Sequence, residues 1–315
     1  MSPTASAACW HSMRSCLPDA WTVRAQPWLG TLVEIALRRA DATDVRFAAA
    51  FARVAHVHRR MSAQNPESDL ARIARDAHRR AVRVDPDTHA VLAQAMLLAR
   101  ETAGLFDVTV GSVLARHGQL PLHGDAGGPG CGAMDAVHLE SDGCVRTSAP
   151  ITLDLGGIAK GYAVDCAVKA LRDTGASAGT VNAGGDLRAF GPETWQPIRI
   201  RHPGSPNLSL HLFDICDAAV ATSADYFRRG QHDLVDPRSG AVRAYGDSVS
   251  VVAPDCTVAD ALTKIVALDP ARAVVVLARY GAVAFRLGAD AVGAHCSATF
   301  AAPSPRLRLP LRRAA

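Results

Sequence analysis

Residues 151–171, ITLDLGGIAKGYAVDCAVKAL, combine a carboxylate, two adjacent glycines and a lysine within a few positions. The segment begins as a short β-type run. From Ile158 on, apolar residues recur at a four-residue spacing, which predicts one buried face of a helix. Gly156 and Gly157 therefore precede a helix N-terminus, where free N–H groups and the helix dipole favour an anion such as a phosphate. A tight connection with a surface lysine explains the same residues, and this stretch alone does not separate the two interpretations.

The glycines of this segment match neither of the common nucleotide-binding signatures. No Gly-Lys-Ser/Thr follows four spacer residues, as a Walker A loop requires. The segment does not read G-x-G-x-x-G either, so it is not a dinucleotide fingerprint. A phosphate site at this position would belong to another fold.

Motifs of the same kind interrupt apolar runs elsewhere in the chain. They read LFDVTVG, VNAGGDLRAFG and ATSADYFRRGQHDLVDPRSG, and ADALTK opens a helix-like stretch. Each has a structural explanation: Asp107 as a turn cap, VNAGGD as a hairpin turn, VDPRSG as a type I turn and His232 as a strand histidine. Turns alone do not require the same mixture of carboxylate, glycine and hydroxyl, so we interpret the set as one site.

The composition sets the class of protein. Hydrophobic residues make up 49% of the 315 residues, enough for a substantial core. The net charge of +4, from 34 basic and 30 acidic residues, is too balanced to argue for nucleic acid as a partner. The sequence contains no run of 18 apolar residues, so it predicts no transmembrane helix. The eight cysteines form no C-x-x-C and indicate neither a zinc site nor a disulfide framework.

Strand-like runs outnumber helical ones and do not alternate strictly with them. This pattern favours a layered α+β fold with a mixed, mostly antiparallel sheet over a Rossmann sheet. We predict helices that begin at an Asp41 cap and at a Ser68 cap, and a third that ends at Gly104. The run LFDVTVGSVL is predicted to be β-type.

The chain is predicted to hold one domain between two tails. Residues 1–27 form a poorly ordered leader, residues 28–302 the domain and residues 303–315 a basic, proline-containing tail. The leader lacks the apolar stretch of a signal peptide, which predicts a cytoplasmic location.

In their order along the chain, these motifs resemble those of the ApbE family, the FAD:protein FMN transferases. The resemblance covers roughly Leu29 to Leu287 and is most specific in LDLGGIAKGYAVD, VNAGGDLRAFG and HDLVDPRSG. It implies a transferase that uses FAD and a magnesium ion. Such an enzyme attaches FMN through a phosphoester bond to a Ser or Thr of an acceptor protein and releases AMP. Because many family members are periplasmic, it also implies the periplasm as an alternative compartment.

The resemblance implies roles for individual residues. Asp154 would contact FAD, and the turn at Gly156 and Gly157 would approach its pyrophosphate. Lys160 would lie beside FAD with a catalytic role, and His232 would assist deprotonation of the acceptor hydroxyl or bind the phosphate. The other expected FAD contacts are Leu105, Phe106, Asp107, Asn182, Gly184, Gly185, Asp186 and Thr222.

The resemblance gives the Gly157 carbonyl, Asp260 and Thr263 as magnesium ligands, and here the sequence departs from the family. The family motif has threonine four residues after the aspartate, whereas this chain has Lys264 there and Thr263 one position earlier. Residues i and i+4 share a helix face, so the Lys264 ammonium would point at Asp260. A protonated lysine has no acceptor and cannot ligate a metal.

Three outcomes stay open from the sequence. Thr263 replaces the lost ligand, Lys264 supplies positive charge in place of magnesium, or transfer is weak or absent. In the third case the protein is an FAD-binding homologue, or an FAD-hydrolysing one with water as the acceptor. Gln64 also stands where many relatives have an aromatic residue, which would alter the packing around the flavin.

Overall fold

A broad antiparallel sheet, covered by helices on one face and by a smaller sheet on the other, organises the computed structural model. The structure describes residues 20–125, 130–224, 234–243, 246–288, 296–299 and 306–309. In this part of the chain the α-helices are α1 (Asp44–Met61), α2 (Asp69–Asp76), α3 (Pro86–Glu101), α4 (Gly111–Arg116), α5 (Ala159–Asp173), α6 (Cys256–Leu268) and α7 (Pro270–Arg279). None of these helices combines the length and the apolar character that crossing a membrane requires.

Sixteen strands are described, and they form four sheets. The strands are β1 (Trp21–Trp28), β2 (Thr31–Arg38), β3 (Val82–Arg83), β4 (Val137–Leu139), β5 (Cys144–Thr147), β6 (Gly179–Ala183), β7 (Asp186–Phe190), β8 (Trp195–His202), β9 (Ser205–Cys216), β10 (Ala219–Ser223), β11 (Leu234–Asp236), β12 (Ala241–Arg243), β13 (Ser248–Ala253), β14 (Val283–Leu287), β15 (Cys296–Thr299) and β16 (Leu307–Arg308). The main sheet has the order β1-β2-β6-β7-β10-β13-β14-β15, with every pairing antiparallel. The smaller sheets are β16-β9-β8, β3-β5-β4 and β11-β12. The predicted α+β class is confirmed.

The main sheet is buried on both faces. Successive side chains of a strand point to opposite faces. In β13, Val251 accordingly joins the core beneath α1, α5 and α6, whereas Val252 joins the core beneath the smaller sheet. Phe213 of β9 packs in that second core, its ring stacked on Phe285 at 4.5 Å between centroids. Burial on two sides explains why β13 is buried throughout.

The predicted β-type run at residues 105–114 is wrong, because these residues form a 3-10 turn followed by α4. A carboxylate oxygen of Asp107 accepts hydrogen bonds from the amide and the hydroxyl of Thr109, both at 2.6 Å. This cap overrides the β preference of the valines and threonine. At Gly111 a Cβ would lie 2.5 Å from the carbonyl oxygen of Thr152, so only glycine lets α4 come this close to its neighbour.

The β-type run at the start of residues 151–171 also forms no strand. The amide of Asp154 donates to the carbonyl of Val108 at 2.8 Å, so this segment follows the 3-10 turn instead of joining a sheet. The predicted change to a helix is confirmed, since α5 begins at Ala159. Its buried face includes Ala163 and Ala167, as the four-residue spacing requires.

Two of the three predicted helix ends are confirmed. Ser68 caps α2, and Gly104, with φ of +78°, follows the last turn of α3. Asp41 is not the cap of α1, a position that Thr43 fills. Asp41 instead accepts hydrogen bonds from the amide and hydroxyl of Ser177, at 2.9 and 2.7 Å, and ties the end of β2 to the segment before β6.

Parts of the predicted leader and tail lie in sheets. Strand β1 includes residues 21–27, the end of the predicted leader, and pairs with β2 along its whole length. Trp21 and Val23 pack against the core beneath the smaller sheet, which fixes this strand. Strand β16, inside the predicted tail, pairs with β9. Residues 1–19 and 310–315 lie outside the described residues.

Candidate functional site

A cavity of about 520 Å³ lies at the N-terminal end of α5. This volume falls within the range of roughly 300–1,000 Å³ that is usual for small-molecule sites. The residues predicted from the sequence that line it are Leu105, Phe106, Asp107, Asp154, Gly156, Gly157, Lys160, Gly184, Thr222 and Lys264. The fold thus brings together motifs that lie far apart in the sequence.

The turn between β6 and β7 forms part of the wall through Gly184. The side-chain oxygen of Asn182 accepts a hydrogen bond from the amide of Gly185 at 3.0 Å, which holds the turn closed. Gly184 and Gly185 have φ of +65° and +108°, a region that strains other residues. Asn182 and Gly185 therefore shape the wall without lining the cavity.

Two lysines of the wall, Lys160 and Lys264, form a group with the buried Asp186 and Asp260, which we call the lysine–aspartate cluster. Lys160 of α5 forms an ion pair with Asp186 of β7, and its nitrogen lies 3.6 Å from a carboxylate oxygen of Asp260. Lys264 forms an ion pair with the other oxygen of Asp260. The side chains of Asp186 and Asp260 are 2% and 0% exposed, against 32% and 16% for Lys160 and Lys264. The carboxylates are therefore buried, and the two lysine side chains line the cavity.

The cluster sets the ionisation of its members. Burial opposes the charge on Asp260, but Lys160 and Lys264 outweigh burial and hold the pKa of Asp260 below its ordinary value. Burial and the negative charge of Asp260 raise the pKa of Asp186 to about 6, despite its contact with Lys160. Burial would lower the pKa of Lys160, but Asp186 and Asp260 raise it above its ordinary value. Lys160 thus remains protonated at neutral pH and can stabilise negative charge, but it cannot act as a general base.

Two further carboxyl groups face the cavity. Asp154 accepts a hydrogen bond from the amide of Gly156 at 3.0 Å. Burial raises the pKa of Asp154, and this amide and Lys264 only partly offset the rise. Burial also raises the pKa of Asp107, against the hydrogen bonds that it accepts from Thr109. Both groups can hydrogen-bond to polar ring atoms of a ligand.

The residues before α5 bring the backbone close to the cavity. The residue before this helix, Ile158, makes no side-chain cap, unlike Asp255 before α6, and the amide of Gly161 in its first turn donates to Asp260 instead. A Cβ at Gly157 would lie 3.3 Å from Lys264 Cε and 3.6 Å from the ring of Phe106. A glycine turn at a helix N-terminus suits an anionic group.

The predicted magnesium ligands do not fit a magnesium ion. Both carboxylate oxygens of Asp260 are engaged, one by Lys264 and the other by the amide of Gly161 at 3.2 Å with Lys160 nearby. The Thr263 hydroxyl donates to the main-chain carbonyl of Asp260 at 2.7 Å. Magnesium needs oxygen ligands in near-octahedral geometry, and two ammonium groups would repel it.

Other predicted and newly found residues complete the picture. His232 lies outside the described residues. Thr222 lines the cavity and shares a hydrogen bond with Ser250 at 2.9 Å. Sequence reasoning missed Ser223, which lines the cavity and hydrogen-bonds to Thr263 at 2.8 Å. Its only sequence signal was its place directly after Thr222.

Within the described residues, two other groups have the spacing of metal ligands: His56, Asp85 and Asp87, and Glu140, Asp142 and Cys144. Neither group lines the cavity. In the first, Arg53 and Arg60 already pair with the carboxylates. In the second, Arg146 pairs with Glu140. These groups are explained as ion-pair networks.

Comparison with known proteins gives a consistent family. The model of the ApbE family matches residues 29–285. Among curated proteins, an FAD:protein FMN transferase of Vibrio cholerae is 26% identical over 227 residues, which cover 65% of this chain and 68% of the relative. One of Rhodobacter capsulatus is 31% identical over 252 residues, covering 74% of this chain. The chain spans 48% of the length of that relative.

Solved structures show the same fold. The flavin transferase ApbE from Vibrio cholerae superposes with a TM-score of 0.73 at 22% identity, covering 90% of this chain and 98% of the other. The ApbE protein from Thermotoga maritima gives a TM-score of 0.71 at 26% identity, with 85% and 94% covered. The overlap with the Vibrio structure includes nearly all of its length.

Proposed function

The chain belongs to the ApbE family, and on that premise we propose that it is an FAD:protein FMN transferase. The observation that carries the proposal is the lysine–aspartate cluster, whose two lysines line a cavity beside a helix N-terminus and a glycine turn. A diphosphate needs positive charge and backbone amides of this kind. The site is therefore suited to the pyrophosphate of FAD.

The reaction transfers FMN from FAD to a Ser or Thr hydroxyl of an acceptor protein. The hydroxyl oxygen bonds to the phosphorus of the FMN half as the bridging P–O bond breaks. AMP leaves with the bridging oxygen, and the hydroxyl proton is released. Such transfers depend on the position of the groups and on charge stabilisation more than on covalent chemistry by the protein.

Different residues would serve different steps. Lys160 would stabilise the charge on the phosphoryl oxygens, because its pKa keeps it protonated. Asp107 and Asp154 would hydrogen-bond to the ring systems of FAD. The apolar wall, which includes Leu105 and Phe106, would exclude water from the flavin. His232 remains the proposed base for the acceptor hydroxyl or a ligand of the phosphate.

Incubation with FAD and a flavin-acceptor domain tests the proposal by intact mass. The expected product is the acceptor plus one FMN less one water, with AMP in equal amount. A control acceptor whose target Ser or Thr is replaced by Ala should gain no mass. AMP released without any acceptor adduct would contradict the proposal.

Two variants separate binding from transfer. Asp154→Ala should weaken FAD binding, whereas His232→Ala should leave binding largely intact and slow transfer by about 10² to 10⁴, the usual contribution of a positioned acid or base. Calorimetric titration measures the first effect and the rate of adduct formation the second. An equal loss of FAD affinity in both variants would contradict these separate roles.

A second candidate is an FAD-binding or FAD-hydrolysing homologue. The observation that favours it is the ion pair between Lys264 and Asp260, which occupies the expected metal ligand. FMN and AMP appearing at equal rates with and without acceptor would indicate hydrolysis. FAD binding without either product would indicate a carrier.

A further inference from the structure

Lys264 lies one helical turn after Asp260 on α6, and its ammonium is held by oxygen atoms. Besides the Asp260 carboxylate, it donates to the main-chain carbonyl of Asp260 at 3.1 Å and to the hydroxyl of Ser223 at 3.3 Å. A lysine ammonium has three donors, and these three oxygens match them. The group therefore sits in a small oxygen-lined site, as a bound cation would.

The carbon chain of Lys264 is also fixed. Its Cε lies 3.3 Å from the position of a Cβ on Gly157, so the side chain crosses directly over the glycine turn. Lys264 lines the cavity at this point. Its charge is thus presented to the place where the pyrophosphate is proposed to bind.

The choice of lysine is notable in this chain. The sequence contains three lysines and 31 arginines, and Lys160 and Lys264 both line the cavity. Lys169, the third, lies on the outer part of α5 with 75% of its side chain exposed. An ammonium is a compact point charge, whereas guanidinium is a planar fork. A site among three converging oxygens calls for the compact group.

We propose that the Lys264 ammonium takes the place of the magnesium ion at Asp260, so that FAD binds without a metal at this carboxylate. The proposal rests on the proposed function for the identity of the ligand. In the transfer step, Lys160 donates to the phosphoryl oxygens, whereas Lys264, whose three donors are used within the protein, contributes only its positive charge. The bonds formed and broken are those given above, with AMP as the leaving group.

Calorimetric titration of magnesium into the protein, with and without FAD, tests this without turnover. The parent is expected to show no saturable magnesium binding at Asp260. Its dissociation constant for FAD should change by less than about twofold between EDTA and excess magnesium, because a metal that does not bind cannot shift the equilibrium. Saturable binding to the parent that disappears in Asp260→Asn or Thr263→Ala would overturn the proposal.

Substitution of Lys264 should open the site. In Lys264→Thr, magnesium should bind and strengthen FAD binding by about tenfold or more, through the linkage of the two ligands. Adding Asp260→Asn to this variant should remove the effect. Lys264→Met should weaken FAD binding without restoring a response to magnesium. Lys169→Thr is the matched control and should behave as the parent.

Lys264→Arg separates charge from shape. It keeps the positive charge but cannot place one atom among the three oxygens, so FAD should bind more weakly than in the parent and magnesium should have no effect. FAD affinity equal to that of the parent in both Lys264→Met and Lys264→Arg would overturn a role for the ammonium. Circular dichroism confirms that each variant is folded.

The outcome is independent of the proposed transfer activity. If the parent forms no adduct and its FAD affinity does not depend on magnesium, the transferase is rejected and the substitution of the metal by Lys264 is kept. Adduct formation that requires magnesium bound at Asp260 would reject the substitution and keep the transferase.

Discussion

Two charged networks join the same three elements, α5, β7 and α6, with different results. In the lysine–aspartate cluster, the buried carboxylates pair with two lysines that line a cavity. In the second network, Asp165 of α5 pairs with Arg188 of β7 at 2.5 Å. Asp165 also accepts hydrogen bonds from the amides of Cys256 and Thr257 and from the Thr257 hydroxyl, at 3.0, 2.8 and 2.6 Å. These contacts bind it to the first turn of α6.

The difference lies in what remains for a ligand. Both oxygens of Asp165 are used within the protein, so its network only fixes α6 against α5 and the sheet. Lys160 stands five residues earlier, about 7.5 Å along the helix axis, and its side chain, 32% exposed, lines the cavity. The same three elements thus hold Asp165, which anchors α6, and Lys160, which is available for binding a ligand. The two networks therefore differ in whether a charged side chain lines the cavity.

The largest effect should follow the loss of the anchor. Asp165→Ala leaves Arg188 without its carboxylate partner. It also removes the acceptor of three hydrogen bonds at the start of α6. Breaking a fully buried pair typically costs about 3–5 kcal/mol, and because this pair is 19% and 15% exposed we expect a loss toward the lower end of that range in the free energy of unfolding in urea. FAD affinity of the folded protein should change little. The control is Asp173→Ala. If Asp165→Ala lowers the free energy of unfolding by no more than this control, the structural role of Asp165 is contradicted.

The next effect should follow the loss of Lys160 from the cluster. Lys160→Met removes a charged contact to the pyrophosphate, and such hydrogen bonds contribute about 1.5–3 kcal/mol, or roughly a 10- to 150-fold rise in the dissociation constant for FAD. Calorimetric titration measures it. Lys169→Met, at an exposed site on the same helix, should leave the affinity unchanged. Equal affinities in the two variants would place the pyrophosphate elsewhere.

A smaller effect should appear with pH, through Asp186. Below its pKa of about 6 it is protonated and no longer neutralises Lys160, so FAD should bind more tightly at pH 5.5 than at pH 7.5, by about two- to tenfold for one screened charge. Asp186→Asn should abolish this step. Because the pKa is raised from 3.8, the same ionisation lowers the free energy of unfolding as the pH rises through about 4 to 6. Affinity that increases with pH would contradict the assignment.

The smallest effect should come from the exposed ion pair on α5. Lys169 and Asp173 are paired at 2.6 Å, but their side chains are 75% and 60% exposed. Exposed pairs at this spacing contribute about 0.3–0.5 kcal/mol. Lys169→Ala should therefore lower the free energy of unfolding by no more than this. In high salt, the difference in free energy of unfolding between the parent and the variant should become smaller. A loss in free energy of unfolding close to that of Asp165→Ala would show that burial does not explain the different contributions of the two ion pairs.

Much of the fold was readable from local patterns. The four-residue spacing predicted α5, and the hairpin turn that VNAGGD suggested joins β6 and β7. The run at residues 105–114 was misread, because its β-branched residues favour a strand while the contact that decides it, from Asp107 to Thr109, needs the chain to turn. Side-chain capping competes with propensity, and the sequence shows both without showing which prevails.

The candidate site was predictable in its members and less so in its contacts. Ten of the predicted residues line the cavity; the motifs of the family carry nine of them, and Lys264 stands where the sequence departs from the family. The role of Asp165 was not found, although it stands inside the motif LDLGGIAKGYAVD, since its partners on β7 and α6 are distant in sequence. An aspartate in a motif does not show whether it faces a ligand or an anchor.

The sequence alone determined that Lys264 meets Asp260, because residues four apart on a helix share a face wherever the helix lies. Only the tertiary structure decided that Lys160 joins them, since Asp186 and Asp260 reach it from other elements. The physical reason is the range of the interactions. Helical periodicity fixes neighbours within an element, whereas the packing of α5 and α6 on the sheet fixes which charges share a buried site and which ammonium groups face the cavity.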